Sequence, residues 1–233
     1  CVFLLTSVAR MHQLFPVLSL FKPVTLTGVL AIALCIIDRA PRRRINPLQL
    51  RATRYMIAFA AWMALSVPGA LWPGGAFATF LDFIKTVLIS LVLIIAVRSV
   101  RDVERLTLAY FVGAVVFAAV VLARMQFQLA AEGRMERLYY YDSNDFATYA
   151  ITGMPLGLYF ASSGRRLWMR GAAWAGIGLL AAGFIWSGSR GGFLAFMAVI
   201  AYFLLRYTSI NRSRRWSAVA IIGVLVTAVA GDA

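Results

Sequence analysis

Long apolar runs punctuated by short arginine-rich stretches constrain this chain more than any other feature. A helix needs about 20 apolar residues, within a range of roughly 17–25, to cross a bilayer. Inside hydrocarbon the backbone must satisfy its own hydrogen bonds, which a helix does within a single segment. Runs of this kind lie near residues 23–37, 55–71, 80–97, 106–123, 146–162, 171–187, 192–207 and 217–231, behind an apolar tail at 1–9. The expected fold class is therefore all-α, a polytopic integral membrane protein with about eight transmembrane helices in one domain over residues 1–233. The chain opens on Cys1 in apolar sequence and closes on Ala233 just after another apolar run, so it reads as part of a longer protein.

Composition supports that class: 62% of residues are hydrophobic and 14% are charged. The net charge of +14 raises the question of nucleic acid. The basic residues, however, form short clusters between apolar runs, with no interleaved aromatic platform to stack bases, so nucleic acid is not an expected partner. Cys1 and Cys35 are far apart, and His12 is the sole histidine. No cluster at metal-ligand spacing results, and neither a metal nor another cofactor is expected.

The loops alternate in charge. Sixteen arginines fall on one set of loops: Arg39 to Arg54, Arg98 to Arg105, Arg165 to Arg170, and Arg206 to Arg215. Six basic residues, Arg10, Lys22, Arg124, Arg134, Arg137 and Arg190, fall on the other. Bias of this kind places the arginine-rich loops in the cytoplasm. The loop at 124–145 and the turn at 187–192 then face outward.

Those two outward segments hold the candidate site. In Ser187-Gly188-Ser189-Arg190-Gly191-Gly192 a glycine turn opens onto a helix N-terminus, where free N–H groups and the positive end of the helix dipole gather. With a guanidinium added, the turn suits a phosphate or pyrophosphate. A tight turn with a snorkelling arginine accounts for the same residues. The 124–145 loop combines Glu132, Glu136, Asp142 and Asp145 with Arg124, Arg134 and Arg137 and the run Tyr139-Tyr140-Tyr141. That mixture suits a sugar, held by hydrogen bonds and ring stacking; it also fits an interfacial aromatic belt. Asp142-Ser143-Asn144-Asp145 reads as an N-cap for a helix starting near Phe146. Lys85 is expected about six residues into its span, paired with Asp82 three residues earlier. It is read either as a functional intramembrane charge or as a structural pair near the outer interface. Gly153 and Gly157 form a G-x-x-x-G suited to close helix packing.

The order of these motifs resembles the O-antigen ligase/polymerase family of bacterial envelope glycan assembly. The resemblance rests on Asp142-Ser143-Asn144-Asp145-Phe146-Ala147 opening a span, a basic cytoplasmic hairpin, and Ser187 to Gly192 opening another. Arg10-Met11-His12-Gln13-Leu14-Phe15-Pro16, followed by Pro23, is similar to the early part of such proteins. The sharp part of the likeness lies within about 130–200 of this sequence. It implies a multi-pass protein of the bacterial inner membrane that transfers a glycan from undecaprenyl diphosphate to an acceptor sugar on the outer face, without a metal and with inversion. Ligases use lipid A-core, the anchor of lipopolysaccharide, or a comparable glycolipid as acceptor; polymerases use another carrier-linked repeat. By resemblance Arg190, with Ser189 and Gly191 beside it, holds the carrier pyrophosphate. Arg134 or Arg137 matches the arginine preceding the Asn144 motif, and Asn144 and Asp145 belong to the substrate-binding set. Apart from the resemblance, Lys85 is expected to join that set where its span packs nearby. Ser143 departs from the family pattern, which often has proline there. The family's large outward loop, with its catalytic arginine and histidine, is expected beyond residue 233, and His12 does not stand in for that histidine.

A rival reading is a transporter or flippase for an anionic lipid-linked or small solute, with the same arginines as binding residues. No inverted repeat is visible, and the singled-out charges are expected at the outer interface rather than the midplane. Both points favour the transferase.

Overall fold

The computed structural model describes residues 1–9, 23–37, 46–128, 143–163 and 166–206. Among them the structure is helical with no strand: α1 (Val2–Ala9), α2 (Pro23–Ile37), α3 (Arg51–Ser66), α4 (Pro73–Ala96), α5 (Val100–Gln128), α6 (Ser143–Ser163), α7 (Leu167–Ser187) and α8 (Arg190–Arg206). The expected tail and spans from 1–9 to 192–207 each fall on one of these helices; the run at 217–231 lies outside the described residues.

Three helical segments are long and apolar enough to cross a membrane: Pro73–Ala96, Val100–Ala123 and Leu167–Ser187. The expectation of about eight is met to that extent. The apolar segments Val24–Cys35 and Arg190–Phe203 are shorter. Helix α3, at 16 residues, is only about 24 Å long at 1.5 Å per residue. Helix α6 has the length, but Ser143, Asn144, Asp145, Thr148 and Thr152 dilute its N-terminal half.

Helix starts run earlier than the apolar runs predict, because polar or small residues occupy the first turns. Helix α4 begins at Pro73, pre-set for a first turn, rather than near residue 80. The Trp72 ring lies over Gly75, where a Cβ would come within 2.4 Å of it. Helix α5 begins at Val100 behind a capping box: the Ser99 hydroxyl accepts from the Asp102 N–H at 3.3 Å and donates to the Asp102 carboxylate at 2.8 Å. The same carboxylate accepts from the Arg98 N–H at 3.2 Å.

The chain forms two compact units, Cys1–Ser7 with Phe15–Ala109 and Val8–Leu14 with Tyr110–Ala233. In the first, α3 and α2 pack on α4. Phe59 meets Phe83 edge-on at 5.2 Å, and Thr6 bonds Thr27 at 3.2 Å between α1 and α2.

In the second unit, α6 and α7 form an antiparallel hairpin packed on the part of α5 from Tyr110 onward. Its seam is made by glycines. A Cβ on Gly153 would lie 2.9 Å from Leu180, one on Gly157 2.6 Å from Ile177 and 2.7 Å from Phe111, and one on Gly183 2.6 Å from Phe146. The expected packing role of Gly153 and Gly157 therefore holds, and Gly176 extends it against Phe111 and Val115. Phe117, Phe146, Leu180 and Val121 fill the core between these helices.

Candidate functional site

The turn between α7 and α8 carries the candidate site. Helix α7 ends at Ser187, and Gly188 adopts the left-handed conformation, φ 58° and ψ 20°, donating its N–H to Ile185. A left-handed residue just past the last turn is the ordinary way to stop a helix, and glycine takes it without strain. The Ser187 hydroxyl donates to the Phe184 carbonyl at 2.7 Å and accepts from the Ser189 N–H at 3.4 Å. Both serines are buried.

Ser189 is then the N-cap of α8. Its carbonyl accepts from the Phe193 N–H at 2.9 Å, and its hydroxyl oxygen accepts from the Gly192 N–H at 2.8 Å. The hydroxyl proton goes elsewhere: it is donated to Oδ1 of Asn144, 45 residues earlier, in the first turn of α6. One side chain thus caps α8 and ties it to the start of α6. Ala147 completes the junction, since a Cβ on Gly192 would stand only 2.4 Å from the Ala147 Cβ. Gly191 faces Asn144 as well, with 3.3 Å from an added Cβ to Oδ1. Two helix N-termini are held side by side.

Arg190 is the first residue of α8 and is exposed. The ion pairs among the described residues are Lys85–Asp82 and Arg105–Asp102, so the Arg190 guanidinium is bound to no described carboxylate. The N–H groups of Arg190 and Gly191 have no partner among the described residues. Asp145, also exposed, sits in the first turn of α6, where a carboxylate complements the helix dipole. The electrostatics at this end are mixed: two positive helix ends and one guanidinium, opposed by one carboxylate.

Of the expected site residues, the structure brings together Ser189, Gly191, Arg190 and Asn144, with Asp145 next in sequence. It assigns Ser189 and Asn144 a bond to each other. The N-cap reading of the Asp142 to Asp145 tetrad shifts: α6 starts at Ser143, so Asn144 and Asp145 lie inside its first turn, and Asp142 lies outside the described residues. Arg134 and Arg137 lie outside them too, with Tyr139 to Tyr141 and His12.

Lys85 lies further along its helix than the apolar run near 80–97 implies. Its ammonium bonds Asp82 at 2.7 Å, as the spacing predicts. Because α4 begins at Pro73, Lys85 is about 18 Å along a 24-residue helix, near its middle rather than near an end. The apolar run begins only near residue 80, and Pro73 at the first helical position marks the earlier start. The Ser189–Asn144 tie also went unread, since neither spacing nor periodicity links residues so far apart. Comparison with known proteins finds no matching family model, no similar curated protein and no similar solved structure.

Proposed function

We propose that the protein is a membrane glycosyltransferase of the O-antigen ligase/polymerase type. On this reading it is a multi-pass protein of the bacterial inner membrane with about eight spans. It takes a glycan from undecaprenyl diphosphate and passes it to an acceptor sugar on the outer face. The observation that carries the reading is Arg190, exposed at the first position of α8, beside a second helix N-terminus that Ser189 and Asn144 hold against it. A diphosphate leaving group gains negative charge as the sugar–phosphate bond breaks. A fixed guanidinium and oriented N–H groups stabilise that charge as it forms.

Arg190 is the contact that grips the diphosphate. Ser189 and Asn144 orient it through the cap, and Gly191 lets the backbone approach the ligand closely. Arg134 or Arg137 supplies a second cation from the 124–145 loop. Lys85 is left out of the clamp, because its charge is committed to Asp82 in mid-helix.

The transporter reading draws on that mid-helix pair. Transport sites of that kind typically use helices broken at the midplane, whereas α4 and α7 run unbroken through their apolar segments. The transferase is therefore preferred.

The test is transfer of labelled glycan from undecaprenyl diphosphate by the membrane-embedded protein. Arg190→Ala should lower the rate roughly 100-fold or more, the scale of deleting one transition-state donor. Arg190→Lys, which keeps charge but not the planar fork, should fall between. An unchanged rate in Arg190→Ala would reduce the turn to a helix connector.

A further inference from the structure

Helix α7 turns one side to the protein and the other to its surroundings. Ala173, Gly176, Leu180, Gly183 and Ser187 are buried on the side of α5 and α6. Leu167, Trp168, Trp174, Ile185 and Trp186 are exposed. From Gly171 to Trp186 no residue carries a charge or a hydroxyl. Leu167-Trp168 and Ile185-Trp186 stand eighteen residues apart, which is five full turns and about 27 Å of rise. The two aromatic ends therefore leave the helix in the same direction. Their separation is close to the hydrocarbon thickness of a bilayer, about 30 Å, and tryptophan favours the boundary between hydrocarbon and headgroups.

The two ends differ in charge. Arg166 and Arg170 flank Trp168 and are exposed. The first turn of α7 holds no carboxylate, and neither arginine has an ion pair among the described residues. Two cations thus share the positive end of a helix dipole, which favours an anion beside them. We infer that this face of α7 is covered by phospholipid, with Trp168 and Trp186 at the two headgroup layers and anionic headgroups gathered at Arg166 and Arg170. Gly171 and Gly178 meet nothing within 4 Å, while Trp174 stands proud of the surface between them. Fluid acyl chains fill such relief, whereas a closely packed helix needs small residues along its whole seam. Arg190 follows Trp186 by four residues across the turn, so the notch lies at the other headgroup layer. On the transfer reading, that is the depth of the carrier's diphosphate.

The test reads depth and lipid contact, so its outcome is separate from that of the transfer assay. Three chains each keep one tryptophan, Trp168, Trp174 or Trp186, with the others replaced by phenylalanine. They are reconstituted in vesicles of phosphatidylcholine and phosphatidylglycerol in equal parts. Lipid brominated just below the headgroup should quench Trp168 and Trp186 more than lipid brominated near the chain ends. The order should reverse for Trp174, about 9 Å further in than Trp168. With bromine on phosphatidylglycerol alone, quenching of Trp168 should report that lipid enriched about fivefold or more beside it, the scale of one surface arginine. Arg166→Gln with Arg170→Gln should abolish the enrichment and leave the depth unchanged. Indifference of Trp168 or Trp186 to every brominated lipid, as under a covering protein, would overturn the inference. So would one depth order at all three positions, or enrichment that survives the double substitution. The depth arm keeps both arginines, so it decides even where the double variant fails to insert.

Discussion

Ser189 has one hydroxyl and two duties, capping Gly192 and binding Asn144. Ser189→Ala removes both and should cost about 1 kcal/mol or more, as lost N-caps do. A lowered melting temperature in detergent is the readout. Gly192 is constrained differently. Its missing Cβ is the space that Ala147 occupies, and a methyl carbon on a helix cannot swing aside. Gly192→Ala should destabilise by about 1–3 kcal/mol, and Ala147→Gly in the same chain should recover much of the loss. Gly188 is held to glycine by its positive φ rather than by space. The turn itself was legible in the residues, since serines and glycines around an arginine spell a helix stop and a helix start. What Ser189 touches was not, because that partner arrives through the packing of α6 beside α8.

At the scale of the helix, the glycines of α7 divide into two kinds. Gly176 and Gly183 face side chains within 3 Å of where a Cβ would stand, whereas Gly178 has nothing within 4 Å. Gly176→Leu should therefore force Phe111 and Val115 out of the α5 contact and lower the melting temperature. Gly178→Ala should leave it unchanged or raise it, since alanine is favoured over glycine in a helix interior by up to about 1 kcal/mol. Thermal melts of the two variants in one detergent check both directions. Helix positions were readable from apolar runs, because lipid-compatible segments must be long and nearly uncharged. Helix starts were less so. Arg101, Asp102, Glu104 and Arg105 belong to α5, and Asn144 and Asp145 to α6, although each reads as loop by polarity. A cap or a first-turn carboxylate makes such residues good helix openers, and that preference outweighs their hydrophilicity at the membrane edge.

For the whole molecule, the arginine distribution makes an orientation claim that the site depends on. With native cysteines replaced, Arg190→Cys should react with a membrane-impermeant maleimide in intact cells, and Ser99→Cys only after permeabilisation. Labelling in the opposite sense would put the notch out of reach of any outward-facing carrier lipid.

The glycine-seamed hairpin of α6 and α7 bears on how such a chain enters a membrane at all. Helix α6 lacks the hydropathy of a lone span while α7 has it, and only a few residues separate them. On the proposed multi-span reading, partition into lipid is then a joint event, in which the stronger segment carries its weaker neighbour across. Chains released from the ribosome after residue 163 should leave α6 at the translocon exit unintegrated, and those extended through residue 187 should integrate both, as glycosylation tags on either flank would report.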